Sequence, residues 1–177
     1  MTKSEEKTTF TAEAAPAWLT LMRHAKTEPG DLDFPDHDRE LTSRGRRDAE
    51  AMGKWLAETD CVPDVVFSSS AVRTRQTVDL LLPMWDRKPV VTSSESLYLV
   101  GPQGIIDVVR SQHGGHRRVL IVAHNPGLSS LTSMLAQQTI EMPTAAVAVF
   151  RFIPEVWPLT SPHDQAKLVH FMRPKAL

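Results

Sequence analysis

Arg23 and His24 sit side by side, Arg73 follows 49 residues after His24, and His124 comes 51 residues later still. These residue types suit one kind of ligand. An arginine presents a planar fork of donors that matches the oxygens of a phosphoryl group. Histidine is the side chain best placed near neutral pH to act as nucleophile or acid. A histidine beside arginines has its cationic form disfavoured and keeps a nucleophilic ring. One facing a bound dianion feels the opposite pull, so two histidines in one pocket can hold different protonation states. The chemistry such a set could perform is phosphoryl transfer through a covalent intermediate. His24 would attack phosphorus, and Arg23, Arg73 and His124 would offset charge on the equatorial oxygens. Water would then hydrolyse the phosphohistidine. The cations all come from the protein, so neither a cofactor nor a metal is expected.

Residues so far apart can share a site only if the fold collects them. Short apolar segments predict strands at 18–22, 64–67, 90–92, 118–123, 145–152 and 168–172. Helical patterns lie between them. Thr42 is placed to cap a helix running through Glu58, with Ala49, Met52 and Leu56 on its inner face. A second helix spans 71–82 and meets Pro83, a third spans 103–112 before Gly114-Gly115, and a fourth spans 126–135. Residues 153–166, rich in proline, read as a loop. Strand–helix alternation predicts an α/β fold with a mostly parallel central sheet. Ligands of such sheets bind at the carboxyl ends of the strands. Arg23 and His24 follow the first predicted strand, Ser68–Ser70 and Arg73 the second, and His124 and Asn125 the fourth. All are therefore expected on one rim.

The bulk numbers bound the alternatives. The chain has 177 residues, 41% hydrophobic and 23% charged, with net charge −1. Residues 1–16 read as a flexible polar N-terminal tail and 17–177 as a single domain. The charge balance argues against nucleic acid or an anionic membrane as partner. One cysteine, Cys61, and a polar N-terminal segment without an apolar signal core predict a cytoplasmic protein.

Three motifs make the reading specific. "LMRHAKT", "FSSSAVRTRQT" and "LIVAHNPGL" resemble, in order, the core motifs of the histidine phosphatase superfamily. Within it, "RHAK…DHDRELTSRGRRDA" is more similar to the short SixA-type phosphohistidine phosphatase branch. The resemblance covers roughly residues 18–172. It implies a phosphoglycerate mutase-like fold, a three-layer α/β sandwich with a mixed, mostly parallel central sheet and helices on both faces. It also implies catalytic roles for His24, Arg23, Arg73 and His124, and substrate binding near Thr27. Asn125, beside His124, is kept as a further substrate contact, although capping of the following helix is the stronger reading.

Two departures from the family pattern stand out. Ala25 replaces the usual glycine, and alanine does not readily take positive φ. The carboxylate acid expected in the region "SESLYLVGPQG" is missing, with Glu95 there but too early. A basic alkoxide leaving group needs a proton as its bond breaks, whereas imidazole is a far weaker base. The expected substrate is therefore phosphohistidine, in a phosphorylated protein or a small phosphoramidate. The alternatives are a small-molecule phosphomonoesterase of the same superfamily and a catalytically inert phosphate-binding module. A mutase is disfavoured by the short chain. The acidic run at 31–40 (Asp31, Asp33, Asp36, Asp38 and Glu40) reads as a solvated loop; the functional alternative is a loop beside the pocket that supplies a weak acid or substrate contacts, with His37 and Arg39 reaching the incoming protein. His113 and His116 read as a surface loop rather than a metal site.

Overall fold

The structure is a computed structural model that describes residues 15–30 and 35–177. Six strands form one sheet in the order β3-β2-β4-β1-β5-β6. They are β1 (Ala17–Arg23), β2 (Val65–Ser69), β3 (Val90–Ser94), β4 (Arg118–Ala123), β5 (Val147–Phe152) and β6 (Lys167–Met172). The β1–β4, β2–β4 and β2–β3 pairs are parallel, while β5 and β6 run antiparallel to their neighbours. The sheet is thus mixed and mostly parallel, as the motifs imply. The expected tail at 1–16 lies almost wholly outside the described residues.

Alternation along the buried strands explains the three layers. Leu19 and Leu21 of β1, Phe67 of β2, Ile121 of β4 and Phe150 of β5 face one way. They pack against α3 (Pro102–Gln112) and α4 (Gly127–Ala136), through Ile105, Ile106, Leu128 and Leu131. Met22, Val66, Leu120, Val122 and Val149 face the other way, against α1 (Ser43–Glu58) and α2 (Val72–Leu81). No helix among the described residues is long and apolar enough to cross a membrane.

The start of α1 follows the local sequence. Thr42 accepts a hydrogen bond from Gly45 N–H, capping α1 as its position predicts. Pro83 does not stop α2 abruptly. The helix ends at Leu81 and tightens into a 3₁₀ turn, Leu82–Met84, where proline's missing N–H is tolerated. A second 3₁₀ turn, Pro154–Val156, interrupts the predicted 153–166 loop.

Gly45 is a contact the pattern alone does not announce. A Cβ built there would lie 2.1 Å from Lys26 O. That carbonyl also accepts from Thr42 N–H at 2.9 Å, so α1 is pressed onto the segment just after His24. Gly45→Ala is expected to destabilise the fold by about 3 kcal/mol, the upper range for overpacking, because backbone rather than a flexible side chain must move. Urea unfolding measures this; a loss below about 0.5 kcal/mol would show that the segment yields freely.

Candidate active site

Register brings the two histidines together. β1 and β4 are parallel neighbours that pair Arg23 with Ala123, and the next residue of each strand is a histidine. His24 N–H donates to Ala123 O at 3.1 Å, and the two imidazole centroids lie 5.2 Å apart. On the other side of β4, β2 pairs Ser68 with Val122. Ser69 therefore comes level with the end of β4, and its hydroxyl lies 2.8 Å from His124 Nε2. Arg73 follows in the first turn of α2. One turn on, Thr77 accepts Ala25 N–H at 3.0 Å and donates to Arg73 O at 2.7 Å. That hydroxyl ties the helix carrying Arg73 to the backbone beside His24.

A cavity of about 650 Å³ opens on this rim, and Arg23, His24, Thr27, Arg73, His124 and Asn125 all border it. His24 is 8% exposed, and Arg73 and His124 are 3% exposed. Arg23 is held by a bond from Nη1 to Met142 O at 3.0 Å. Thr27 accepts from Arg39 Nη2 at 2.6 Å. Asn125 borders the cavity, but its amide serves the next helix. Its Oδ1 accepts from Ser129 N–H and hydroxyl, and its Nδ2 donates to Met142 O. Arg75, the other arginine of that segment, is exposed and lies away from this cavity.

The two departures from the family pattern take physical form. Ala25 is fully buried and is not among the positive-φ residues, so no glycine is needed there. Glu95 lies outside the cavity, with its carboxylate 3.8 Å from His37 Nε2. The carboxylate in the pocket is instead Asp36, from the acidic loop. It accepts from Arg73 Nη2 at 2.9 Å, Tyr98 hydroxyl at 2.9 Å and Arg39 Nη1 at 3.0 Å. Tyr98 also packs edge-on against His124, with centroids 5.4 Å apart. Ser69 is on the rim as its position after the second predicted strand implies, but Asp36, Thr77 and Tyr98 carry no signal in the sequence strong enough to single them out. Asp36 looks like part of a solvated run, and Tyr98 lies in the segment whose family feature is the missing acid.

Electrostatics separate these groups. Burial above all pushes His24 down to about 4. Its bond to Ala25 O opposes this, and the charges of Arg73, Arg23 and Arg39 push it further down. Burial, His24 and Arg73 push His124 down to about 3. Both rings are therefore neutral near pH 7. Burial alone would raise the Asp36 carboxyl, but hydrogen bonds from Tyr98 and Arg39 and the charge of Arg73 outweigh it and hold the group at about 2.

Linkage gives the sign of the pH effect. The unfolded chain takes up histidine protons near pH 6.5, but the folded chain does so only near 4 and 3. Their contribution to stability is full above pH 6.5 and is lost as pH falls toward those values. His24 is expected to titrate near pH 4 in ring-nitrogen NMR, with stability in urea falling over the same range. A midpoint near 6.5 would remove the desolvated pocket.

Asp36 places a negative charge where an oxyanion would meet Arg73. Asp36→Asn keeps the hydrogen-bond acceptor and removes the charge. Inorganic phosphate should then inhibit more tightly, by roughly 3-fold for a partly exposed charge. Weaker inhibition would show that the charge serves to hold Arg73 in place.

A family model described as the histidine phosphatase superfamily (branch 1) matches residues 19–95. An uncharacterised protein of Mycobacterium tuberculosis is 32% identical over 141 residues, 73% of this chain and 86% of its own length. The solved structure of a candidate phosphohistidine phosphatase SixA from Nakamurella multipartitia superposes with a TM-score of 0.76. It is 26% identical, and the match covers 92% of this chain and 99% of that one. The mitochondrial serine/threonine-protein phosphatase Pgam5 of Drosophila melanogaster is 36% identical over 89 residues, 46% of this chain and 30% of its own length.

Proposed function

The chain belongs to the histidine phosphatase superfamily, and on that premise we propose that it is a metal-independent phosphatase that hydrolyses phosphohistidine through a phospho-His24 intermediate. One observation carries the reading. Among the described residues, only two buried side-chain polar atoms lack a hydrogen-bond partner, Arg23 Nε and His124 Nδ1. Buried polar groups are normally satisfied. Both belong to side chains bordering this cavity, where phosphoryl oxygens would supply the acceptors.

The tautomers fit the chemistry. His24 Nδ1 lies 2.8 Å from Ala25 O, which can only accept, so Nδ1 carries the proton and Nε2 keeps its lone pair. His124 Nε2 lies 2.8 Å from the Ser69 hydroxyl, and in the tautomer assigned here that hydroxyl donates to Nε2, leaving Nδ1–H as the donor for a phosphoryl oxygen. His24 Nε2 attacks phosphorus as the substrate's P–N bond breaks. The departing ring takes up a proton and leaves as neutral imidazole. Arg23, Arg73 and His124 Nδ1–H hold the equatorial oxygens. Water then attacks phosphorus, the P–Nε2 bond of phospho-His24 breaks with its electron pair returning to Nε2, and the water's proton passes to solvent as inorganic phosphate forms. Thr27 contributes through Arg39, which it orients, and Asn125 lines the wall.

Leaving-group chemistry favours phosphohistidine. Glu95 stands outside the cavity, and Asp36 stays ionised down to about pH 2. Neither is set to protonate an alkoxide, while an imidazole ring can collect its proton from water near pH 6.5. The name of the Drosophila relative favours a second reading, hydrolysis of phosphate esters by the same nucleophile. A panel of phosphohistidine peptides and phosphate esters, run on wild type and His24→Ala, separates the two. Much faster cleavage of esters would overturn phosphohistidine specificity.

A further inference from the structure

The mouth of the cavity carries more positive charge than one phosphoryl group requires. Arg23, Arg73 and His124 already serve that group. Around them, Lys26, Arg39, Arg44 and Lys175 also border the cavity, and Asp36 is the one acidic residue doing so among the described residues. Asp36 is taken up by Arg73 and Arg39. Lys26 and Lys175 have no ion-pair partner among the described residues, and Arg44 has only a 3.5 Å contact from Nε to Asp48.

These three cations reach one flank from separate parts of the chain. Lys26 follows His24, and its carbonyl is pinned to Thr42 at the start of α1. Arg44 lies in the first turn of α1. Lys175 lies in the 3₁₀ turn Pro174–Ala176, which packs against α1. The remaining wall, from Leu99, Asn125, Pro143 and Thr144, is uncharged. In a chain of net charge −1, gathering like charges beside the buried Arg73 and half-buried Arg23 is unfavourable unless an anion offsets it.

Resting on the phosphatase reading, we propose that Lys26, Arg44 and Lys175 form a second anion subsite, and that the substrate carries another anionic group, phosphate or carboxylate, beside the transferred phosphoryl. Calorimetric binding of methylphosphonate and of alkanediphosphonates with one- to four-carbon spacers tests this without any turnover. Wild type is expected to prefer at least one diphosphonate by on the order of 10-fold, the effect of a few partly exposed charges acting together. The preference should shrink to about 2-fold in the Lys26→Ala/Lys175→Ala double variant, and likewise in 1 M salt. Equal affinities, or a preference that survives the double variant, would overturn the subsite. Turnover of phosphohistidine peptides flanked by glutamate or by glutamine then tells an acidic protein segment from a small diphosphate. Loss of the binding preference with His24-dependent turnover intact sinks the subsite alone. A binding preference without any His24-dependent turnover sinks the phosphatase reading alone.

Discussion

His24→Ala is expected to abolish turnover of every substrate, whether ester or phosphoramidate. Covalent catalysis divides one difficult displacement into two easier ones, and without the nucleophile neither step has a route. Nothing nearby can stand in for it. His124 has Nε2 engaged by Ser69, and its other nitrogen, Nδ1, is buried and carries the proton in the tautomer assigned above. Cys61 is half-buried, its thiol pushed up by burial, and it does not border the cavity. The decisive measurement is transfer of labelled phosphate from a phosphoramidate donor. Wild type should acquire an acid-labile phosphate that the variant lacks, while near-UV circular dichroism confirms that the variant remains folded. Equal labelling of the two proteins would remove His24 as the nucleophile.

Arg73→Ala should give the next largest loss, a fall in kcat on the order of 10²- to 10³-fold, comparable to removing one preorganised donor to a developing oxyanion. The residue is 3% exposed and fixed from two sides, by Asp36 at its guanidinium and by Thr77 at its backbone. Such a donor is held in place before charge builds on the phosphoryl oxygens, with the Asp36 carboxylate competing for it. Arg73→Lys keeps the charge but loses the planar fork, and should recover only part of the rate. On the proposed role of Arg73 as a donor to the transition-state oxygens, the loss should appear in kcat as well as KM. A wild-type rate in Arg73→Ala would take the residue out of the pocket.

These effects are distinct from the loss expected at Gly45. There the alanine methyl would displace the segment that follows His24, so stability and rate would fall together. The active-site substitutions should change rate with little change in unfolding midpoint.

Much of this architecture was legible before folding was considered. Strand periodicity and apolar runs mark β1, β2, β4 and β5 because strands buried on both faces favour apolar side chains. Thr42 marks the start of α1 because a helix end needs its N–H groups satisfied. Residues that end parallel strands must share a rim, so Arg23, His24 and His124 could be placed together from their positions alone. Arg73 follows because it opens the helix after β2.

Other features came only from tertiary structure, because they depend on which distant segments meet. Asp36 belongs to an acidic run like any solvated loop until Arg73, 37 residues away, and Tyr98, 62 away, close on its carboxylate. The neutrality of the two histidines rests first on burial, which no local pattern measures. The cationic mouth is invisible in a net charge of −1, since its members are scattered from position 23 to 175. Local sequence specifies strands, caps and the Arg23-His24 pair at a strand end through short-range sterics and hydrogen bonding. The charge around that pair is set by chain segments far apart in sequence, and only packing brings them to one cavity.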